Sequence, residues 1–254
     1  MPLSAVIITY NEEKNITRCL NSLSEVADEI VVVDSFSTDR TLEIAQTFGA
    51  KIVQRPFDSY IQQKNFASEQ AQFDFILSLD ADEALDEKLK KSILSLKEKP
   101  LADAYWLNRL TNYCGHWVRF CWYPDYNLRL FDRRCGQWTG NTPHEWFEPR
   151  LKSDHLPRLD GHILHYSYYS IHDHFVKVNH YTDLAALSLF EKSKKAKIHH
   201  LIINPLWTFI KMYFLKLGIL DGYKGLQICG ISAYASYLKY KKLKKLYSGS
   251  GKLK

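Results

Sequence analysis

Asp80 and Asp82 stand one residue apart, directly after an apolar run that ends at Leu79. Two carboxylates this close repel each other unless a hard cation or well-placed donors neutralise them. Mg²⁺ and Mn²⁺ favour carboxylate oxygens and complete their shells with water and phosphate oxygens. The pair therefore predicts a divalent-metal site for a phosphorylated ligand. In the alternative, Asp82, Glu83 and Asp86 only begin the next helix, where acids favour the positive end of the helix dipole.

Short polar segments follow two earlier apolar runs as well. Residues 9–12 are Thr-Tyr-Asn-Glu, and residues 34–39 are Asp-Ser-Phe-Ser-Thr-Asp. In open α/β sheets, ligands bind outside the carboxyl ends of the strands. We therefore expect these two segments and the aspartate pair to converge on one crevice.

The elements that would position these segments alternate between strand and helix along the first eighty residues. Hydrophobic runs predict strands at residues 3–9, 29–33, 51–54 and 73–79. Helical spacing predicts helices at residues 12–23, 39–48 and 58–71. Because the runs are continuous rather than alternating, both faces of the strands should be buried, which predicts a parallel sheet of the α/β class. No G-x-G-x-x-G or P-loop motif occurs, which argues against those two nucleotide sites.

The composition is that of a globular protein. Of 254 residues, 46% are hydrophobic and 24% are charged, which excludes disordered, collagenous and coiled-coil proteins. Five cysteines without a C-x-x-C pair indicate neither a disulfide framework nor a typical zinc site. The first residues lack the basic region and cleavage site of a signal peptide. We expect a cytoplasmic protein with a main domain at residues 1–190 and an appendage at residues 191–254.

The net charge of +6 is unevenly distributed along the chain. Residues 192–254 contain fourteen lysines, no arginine and one acid, Asp221, which is +13, so that residues 1–191 carry −7. Residues 201–220 are mostly apolar but contain two lysines, an asparagine and a proline, which predicts an amphipathic helix in a membrane interface rather than a spanning one. Lysines around it would add attraction to anionic lipid.

Two other interpretations of this segment stay open. The apolar face could instead pack on the catalytic body or on a second subunit. A nucleic-acid-binding module is disfavoured, because lysine without arginine or base-reading motifs provides little specificity. We therefore expect peripheral attachment to the inner face of the cytoplasmic membrane and no nucleic-acid partner.

Three segments in this order and spacing carry a family resemblance: Ile8-Thr-Tyr-Asn-Glu12, Val33-Asp-Ser-Phe-Ser-Thr-Asp39 and Leu79-Asp-Ala-Asp82. Over roughly residues 1–190, the chain resembles family 2 glycosyltransferases with the GT-A fold, a Rossmann-like mixed, mainly parallel sheet with helices on both faces. Further segments resemble the lipopolysaccharide inner-core β-glucosyltransferase subgroup: residues 63–65, 123–131, 141–145, 161–166 and 218–222.

The resemblance implies a role for each matching residue. A nucleotide-sugar-binding set would consist of Thr9, Tyr10, Glu12, Asp34, Lys64, Asn65 and Asp80. Within it, the first three would hold the uridine, and Asp80 would contact the ribose or a metal-bound water. Asp82 would coordinate Mg²⁺ or Mn²⁺ at the diphosphate, and His165 would complete the metal shell. Residues 1–100 would then bind the donor and residues 101–190 the acceptor.

An inverting enzyme of this kind also needs a base that takes the proton of the acceptor hydroxyl. Glu145 is the first candidate, because the family usually has an acid in the equivalent loop. The chain departs from the common Glu-Asp pair of the wider family, so Asp125 stays open as the base. Glu145 could also be structural, paired with Arg150 or His144.

The acceptor is expected to be a charged oligosaccharide. Between residues 105 and 146 lie five of the six tryptophans and five arginines, which suit sugar rings and acidic groups respectively. At least half of these tryptophans should simply fill the core. The resemblance thus implies an inverting, metal-dependent enzyme that moves a hexose, first of all glucose, from a UDP-sugar to an inner-core lipopolysaccharide sugar. A polyprenyl phosphate is the alternative acceptor.

Overall fold

The computed structural model describes residues 1–98, 102–141, 144–150 and 156–250. They form two compact units, one of Met1–Leu110 with Pro124–Tyr166, the other of Thr111–Tyr123 with Ser167–Lys254. The strands are β1 (Leu3–Thr9), β2 (Glu29–Asp34), β3 (Lys51–Gln54), β4 (Phe75–Asp80), β5 (Glu83–Leu85), β6 (Ala104–Tyr113), β7 (His116–Trp117), β8 (Tyr126–Asp132), β9 (Gly136–Asn141), β10 (His144–Pro149) and β11 (Arg158–Tyr168). The helices are α1 (Ile16–Leu23), α2 (Thr41–Thr47), α3 (Tyr60–Gln70), α4 (Glu87–Leu96), α5 (Ile171–Glu191), α6 (Ile198–Ile210) and α7 (Gly222–Ser250).

A mixed sheet with the strand order β3-β2-β1-β4-β8-β6-β11-β5 organises the first unit. Strand β1 lies between β2 and β4 and is parallel to both, and β3 is parallel to β2. Strand β8 is antiparallel to β4 and β6, and β5 is antiparallel to β11. Strands β9 and β10 pair separately. The predicted α/β class is confirmed, and its parallel strands come from the four continuous hydrophobic runs.

Both faces of β1 and nearly all of β4 are buried, as continuous hydrophobic runs require, whereas the edge strand β3 is only partly buried. On one face, Leu3, Ala5 and Ile7 of β1 pack with side chains of α1, α2 and α4. On the other face, Val6 and Ile8 pack with α3 and with the β9–β10 pair. Successive side chains of one strand point to opposite faces, so a single short run serves two cores.

Helix α1 begins later than the predicted residue 12. The Glu12 carbonyl oxygen accepts hydrogen bonds from the amides of Asn15 and Ile16, at 2.9 and 2.8 Å, which closes a turn before the helix starts. Asn11, just before this turn, has a left-handed φ of 53°. The apolar spacing over residues 16–23 predicted the buried face of α1 correctly. The predicted start at residue 12 was wrong, because residues 12–15 form a hydrogen-bonded turn and not helix.

The second unit is built on helices. Helix α7 packs against both α5 and α6. A small core holds Tyr113, Val118, Cys121, Ile228 and Cys229. Helix α5 (Ile171–Glu191) lies almost entirely before the predicted domain boundary at residue 190, and α7 follows it. Because these two helices pack together, the second unit contains residues from both sides of that boundary. The division of roles at residue 190 stays a prediction.

The predicted helix over residues 201–220 is wrong in its second half. Helix α6 ends at Ile210 and is followed by a π-helical turn at Lys211–Leu215 and a 3₁₀ turn at Gly218–Asp221. Leu217 has a left-handed φ of 55°. A Cβ on Gly218 would lie 2.8 Å from the Met212 carbonyl oxygen, so the chain turns where only glycine fits. In the described part of the chain, no helix has the length and apolar character that a membrane span requires.

Candidate active site

The loops after β1 and β2 are joined by hydrogen bonds at the carboxyl ends of the parallel strands. Thr9 and Asp34 end these strands as register partners. The Asn11 side-chain oxygen accepts a hydrogen bond from the Thr38 amide at 2.8 Å, and the Asn11 amide donates to Ser37 Oγ at 2.8 Å. The two polar segments therefore converge, as the order of strands predicts.

The nucleotide-binding residues predicted in these loops have different surroundings. Tyr10 is 58% exposed, whereas Thr9 and Asp34 are buried. The Asp34 carboxylate accepts hydrogen bonds from the Ser37 amide at 2.9 Å and from Gln54 Nε2 at 3.0 Å, so it fixes its own loop. Contacts of these residues and of Glu12 with a nucleotide stay predictions.

Seven charged side chains form a continuous chain of alternating sign next to these loops. In order of contact, this charge chain consists of Glu145, Lys64, Asp80, Arg129, Glu83, Arg109 and Asp125. Its members come from α3, β4, β5, β6, β8, β10 and the residue directly before β8. Sequence separations of up to 81 residues lie between direct partners, so only the folded chain brings the seven together.

Lys64 joins two carboxylates at one end of the charge chain. Its side chain is 1% exposed, and its Nζ lies 3.1 Å from Asp80 Oδ1 and 3.1 Å from Glu145 Oε1. The same nitrogen lies 4.8 Å from the centre of the Trp138 ring. A buried ammonium group needs such partners, because an unpaired charge in the interior is strongly destabilising.

Arg129 and Glu83 form the middle of the charge chain. Arg129 Nη2 lies 3.2 Å from Asp80 Oδ2 and 3.3 Å from Glu83 Oε1. Glu83 Oε2 accepts the Asp80 amide hydrogen at 2.9 Å. Arg109 then lies 3.4 Å from Glu83 and 2.8 Å from the Asp125 carboxylate. The end of β4 is thus held through both its side chain and its backbone.

The positive partners keep the Asp80 carboxylate ionised. Burial alone would raise its pKa, but the charges of Lys64 and Arg129 outweigh burial and hold the pKa well below its usual range. Nearby, burial and the neighbouring acids raise the pKa of the Cys19 thiol. At neutral pH the site therefore contains an anionic Asp80 and an uncharged Cys19.

Comparison with known proteins identifies the family of the chain. A family model described as Glycosyl transferase family 2 matches residues 4–154. The chain belongs to this glycosyltransferase family. An "uncharacterized glycosyltransferase" of Rickettsia typhi is 32% identical over 254 residues, which cover 96% of this chain and 87% of that protein. The lipopolysaccharide core biosynthesis glycosyltransferase LpsC of Rhizobium meliloti is 30% identical over 245 residues, which cover 92% and 86%.

A solved structure shares the fold of this glycosyltransferase. The crystal structure of S. aureus TarS 1–349 in complex with UDP-GlcNAc has a TM-score of 0.50 at 18% identity, and the match covers 98% of this chain and 92% of that one. Similarity at this level of identity concerns the fold alone. The predicted GT-A fold of this enzyme is confirmed.

Asp82 and His165, the predicted metal ligands of the glycosyltransferase, lie side by side. His165 is the register partner of Glu83 across the β5–β11 pair, and its Nε2 lies 3.4 Å from Asp82 Oδ2. Adjacent ligands of an octahedral ion with bonds of about 2.1 Å are about 3 Å apart, so the pair fits two neighbouring positions. A carboxylate oxygen and an imidazole nitrogen suit Mn²⁺, with phosphate and water oxygens in the other positions. Within residues 1–98, 102–141, 144–150 and 156–250, no three His, Cys, Asp or Glu side chains form a metal cluster.

The acids that follow β4 divide between two roles. Asp86 caps α4, since its Oδ1 accepts a hydrogen bond from the Leu89 amide at 2.7 Å. Glu83 instead lies in β5, fully buried within the charge chain. The interpretation that all three acids only begin a helix is therefore wrong for Glu83. In the sequence, only the closeness of Glu83 to Asp80, three residues earlier, could have indicated that Glu83 belongs to the site. Its partners Arg109 and Arg129 lie too far along the chain to be inferred from a local pattern.

The two candidate bases of the glycosyltransferase stand at opposite ends of the charge chain. Glu145 lies opposite Gly140 in the β9–β10 pair and forms its ion pair with Lys64. Asp125 accepts hydrogen bonds on both oxygens, from Arg109 Nε at 2.8 Å and Asn127 Nδ2 at 3.0 Å. Neither role is tested by this geometry, and Glu145 stays the predicted base.

Asn65, predicted beside the nucleotide, has a clear structural contact. Its side chain donates to the Trp138 carbonyl oxygen at 2.9 Å and accepts from the Trp138 amide at 2.9 Å. The Asn65 side chain therefore satisfies both backbone hydrogen-bonding groups of Trp138 on β9, as a residue of a paired strand would. A nucleotide contact from this residue stays a prediction.

Proposed function

We propose that this glycosyltransferase transfers a hexose, first of all glucose, from a UDP-sugar to a sugar of the lipopolysaccharide inner core, with inversion at the anomeric carbon. The charge chain carries the proposal, because it gathers Glu145 and Asp80 around one buried ammonium group at the carboxyl ends of the parallel strands. The description of the R. meliloti relative supports the acceptor class, and the UDP-GlcNAc in the TarS structure supports a UDP donor.

The donor is assigned to residues 1–100. Thr9, Tyr10 and Glu12 would hold the uridine, with Asp34 at the base or ribose and Asp80 at the ribose or a metal-bound water. Tyr10 is exposed in the loop after β1, where an aromatic face is available to a base. Asn65 completes the proposed set along the same edge. The linked loops after β1 and β2 support this assignment, since they present a fixed surface rather than separate flexible ends.

Asp82 and His165 are proposed to hold Mg²⁺ or Mn²⁺ at the donor diphosphate. A divalent ion there would offset the negative charge that grows on the departing nucleoside diphosphate. The protein's own part is to present one carboxylate oxygen and one imidazole nitrogen 3.4 Å apart at the end of β4.

Glu145 is proposed to take the proton of the acceptor hydroxyl as that oxygen attacks the anomeric carbon. Residues 101–190 would bind the acceptor. Trp146, next to Glu145, is 50% exposed and offers an aromatic face to a sugar, whereas Trp138 is buried in the core. Asp125 is the alternative base.

Attachment to an anionic membrane surface is assigned to the basic apolar surface, which we define as the exposed side chains of residues 192–226. Its large apolar members are Ile198, Ile202, Ile203, Leu206, Trp207, Phe214, Leu215, Leu217, Ile219, Leu220, Tyr223 and Leu226. No side chain of α6 is buried, although the helix is mostly apolar. Exposed apolar area on this scale is typical of a surface that meets lipid or protein.

The distribution of charge favours anionic lipid as the partner of this surface. Residues 192–250 contain twelve lysines and one acid, Asp221. That acid is 3% exposed, and its carboxylate accepts hydrogen bonds from the amides of Arg119, Phe120 and Cys121 at 2.8 to 3.1 Å. The described surface of this segment therefore presents lysine and apolar side chains without a carboxylate. This supports our proposal that the enzyme attaches to the inner face of the cytoplasmic membrane.

The reaction is tested by incubating the full-length protein and Mn²⁺ with radiolabelled nucleotide sugars, in parallel with an inner-core oligosaccharide and with polyprenyl phosphate. We expect transfer from UDP-glucose to the oligosaccharide only. Transfer to the lipid phosphate alone would replace the acceptor assignment, and hydrolysis of none of the UDP-sugars would overturn the donor assignment.

Variants in the same assay test the residue roles. Glu145→Gln should lower kcat about 10² to 10⁴-fold with little change in UDP binding, as expected for loss of a general base. Asp82→Ala should abolish metal-dependent UDP binding, and EDTA should abolish turnover. Glu43→Gln, an exposed change on α2, is the matched control. Full activity of Glu145→Gln combined with loss in Asp125→Asn would move the base to Asp125.

A further inference from the structure

We infer that Lys64 acts on the reaction as a positioning residue of Glu145, rather than as a ligand of the nucleotide. The inference rests on the proposed role of Glu145 as base. It starts from the contacts of one nitrogen atom: Lys64 Nζ lies 3.1 Å from Glu145 Oε1 and 3.1 Å from Asp80 Oδ1. The side chain is 1% exposed, so its charge is directed at these two carboxylates and not at solvent.

The β9–β10 pair that carries Glu145 depends on α3 for its place. Asn65 binds the Trp138 backbone of β9 through two hydrogen bonds of 2.9 Å. Lys64, the preceding residue, reaches across the Trp138 ring to Glu145 on β10. Two consecutive residues of one helix thus hold both strands, one through the backbone and the other through the candidate base itself.

Lys64 also separates the charges of two neighbouring carboxylates. Asp80 and Glu145 both lie within hydrogen-bond distance of the same ammonium group. Without that group, two partly buried carboxylates would be left near each other and would repel, and the side chain on the separate two-stranded sheet would be the one to move. Asp80 is held by Arg129 and by its own backbone amide bond to Glu83, so it stays in place.

Lys64 therefore affects the chemical step and not the binding of UDP. A general base has to stand within hydrogen-bond reach of the proton it removes, and a displacement of about 1 Å can cost about 100-fold in rate. A nucleotide ligand in the same position would instead change the affinity for UDP. The two roles are separable by measuring kcat and UDP affinity on the same variants.

The experiment compares Lys64→Met, Lys64→Arg, Glu145→Gln and the double variant Lys64→Met/Glu145→Gln in the full-length enzyme. Measurements are kcat, KM for donor and acceptor, and the Kd of UDP with Mn²⁺ by calorimetry. We expect Lys64→Met to lower kcat about 10 to 100-fold with an unchanged Kd for UDP, and Lys64→Arg to recover part of kcat. On the Glu145→Gln background, Lys64→Met should lower kcat no further, because both changes act through one group.

Two results would overturn the inference. One is a raised Kd for UDP with an unchanged kcat, which makes Lys64 a nucleotide ligand. The other is full additivity of the two losses in the double variant. If Lys64→Met does not fold, Lys64→Arg with and without Glu145→Gln carries the same cycle, since it keeps the charge but moves it. Lys90→Met on α4, which removes a lysine paired with Glu87, controls for loss of an ion pair elsewhere in the first unit.

Failure of the proposed function gives a different pattern. If Glu145 is not the base, Glu145→Gln alone is fully active, whatever Lys64→Met does. If Glu145 is the base and Lys64 does not position it, Glu145→Gln is impaired while Lys64→Met is active or additive.

Discussion

The two compact units of this glycosyltransferase handle charge in opposite ways. In the first, seven buried or partly buried charged side chains of alternating sign pair with one another, from Glu145 to Asp125. In the second, twelve lysines of residues 192–250 face a single acid of the same segment, Asp221, whose carboxylate accepts hydrogen bonds from three backbone amides. One of these lysines, Lys242, pairs with Asp183 on α5. Paired buried charges fix geometry, whereas unmatched surface charges are available to a partner. The difference separates a region built for positioning from one suited to attachment.

The largest expected effect comes from breaking the charge chain at its middle. Arg129→Met leaves Asp80 and Glu83 buried without their shared partner, which should lower the free energy of unfolding by about 3 to 5 kcal/mol. Urea denaturation followed by circular dichroism measures the change. Arg134→Gln, on an exposed side chain paired with Asp132, is the control and should change stability little. Equal losses in both variants would mean that the charge chain contributes no more than a surface pair.

A pH titration tests the protonation state of a buried histidine in the second unit. His174 is 3% exposed and contacts Tyr113 Oη at 3.0 Å, and burial together with the Lys177 charge lowers its pKa to about 4. Between about pH 6.5 and pH 4, His174 is protonated in the unfolded chain but stays neutral in the folded chain. The free energy of unfolding should therefore fall between about pH 6.5 and pH 4, by at most about 1.4 kcal/mol per pH unit from this group.

The comparison that isolates this histidine is with His174→Gln. Urea denaturation at pH 7, 6, 5 and 4.5 should give a shallower pH dependence for the variant. Parallel curves would show that His174 takes up its proton equally in both states.

Two glycines of α7 test how the second unit is packed. A Cβ on Gly225 would lie 1.9 Å from the Gly218 carbonyl oxygen, whereas a Cβ on Gly230 would meet no atom within 4 Å. Gly225→Ala should destabilise the protein by about 1 to 3 kcal/mol, and Gly230→Ala should stabilise it by up to about 1 kcal/mol through helix propensity. Thermal unfolding of both variants measures the pair. Equal shifts in the same direction would contradict the close approach at Gly225.

The last expected effect concerns vesicle binding by the basic apolar surface and not the stability of the fold. Replacing Ile202, Leu206 and Trp207 together by Gln should weaken binding to vesicles of phosphatidylglycerol and phosphatidylethanolamine, by roughly 1.5 kcal/mol or more per apolar side chain withdrawn. Each Lys→Gln change nearby should cost only about 1 kcal/mol, and less at high salt. Sedimentation with vesicles is the measurement, and Leu187→Gln, an exposed change on α5, is the control. Unchanged sedimentation of the triple variant would end the membrane assignment.

Local patterns predicted the first unit well. The bounds of β1 and β3 agree with the hydrophobic runs, and β2 and β4 agree to within two residues at each end. Burial on both faces is a property of the whole run, so it is visible without knowing the neighbours. The turn at residues 217–218 was not predictable in this way, because it brings Gly218 close to Met212 and Cys229, and the apolar spacing of the segment does not indicate such contacts.

The residues of the site likewise fall into those that a local pattern predicted and those that depend on tertiary contacts. Asp80 and Asp82 were recognisable because adjacent carboxylates after a strand are unusual in themselves. Glu83 looked like the start of a helix, because a short antiparallel strand such as β5 exists only through its pairing with β11. Arg129 and Lys64 lie 49 and 16 residues from Asp80, and no local pattern says that they converge on it.

The amino-acid sequence by itself determined the family, the parallel strands and the polar loops that follow them, because hydrophobic continuity and strand-end position are local properties. The tertiary structure alone decided the order of the charge chain, the placement of Glu145 by α3 and the inward turn of Asp221. Those features depend on which residues become neighbours after folding, and the free energy of a buried charge is set by its neighbours rather than by its place in the chain.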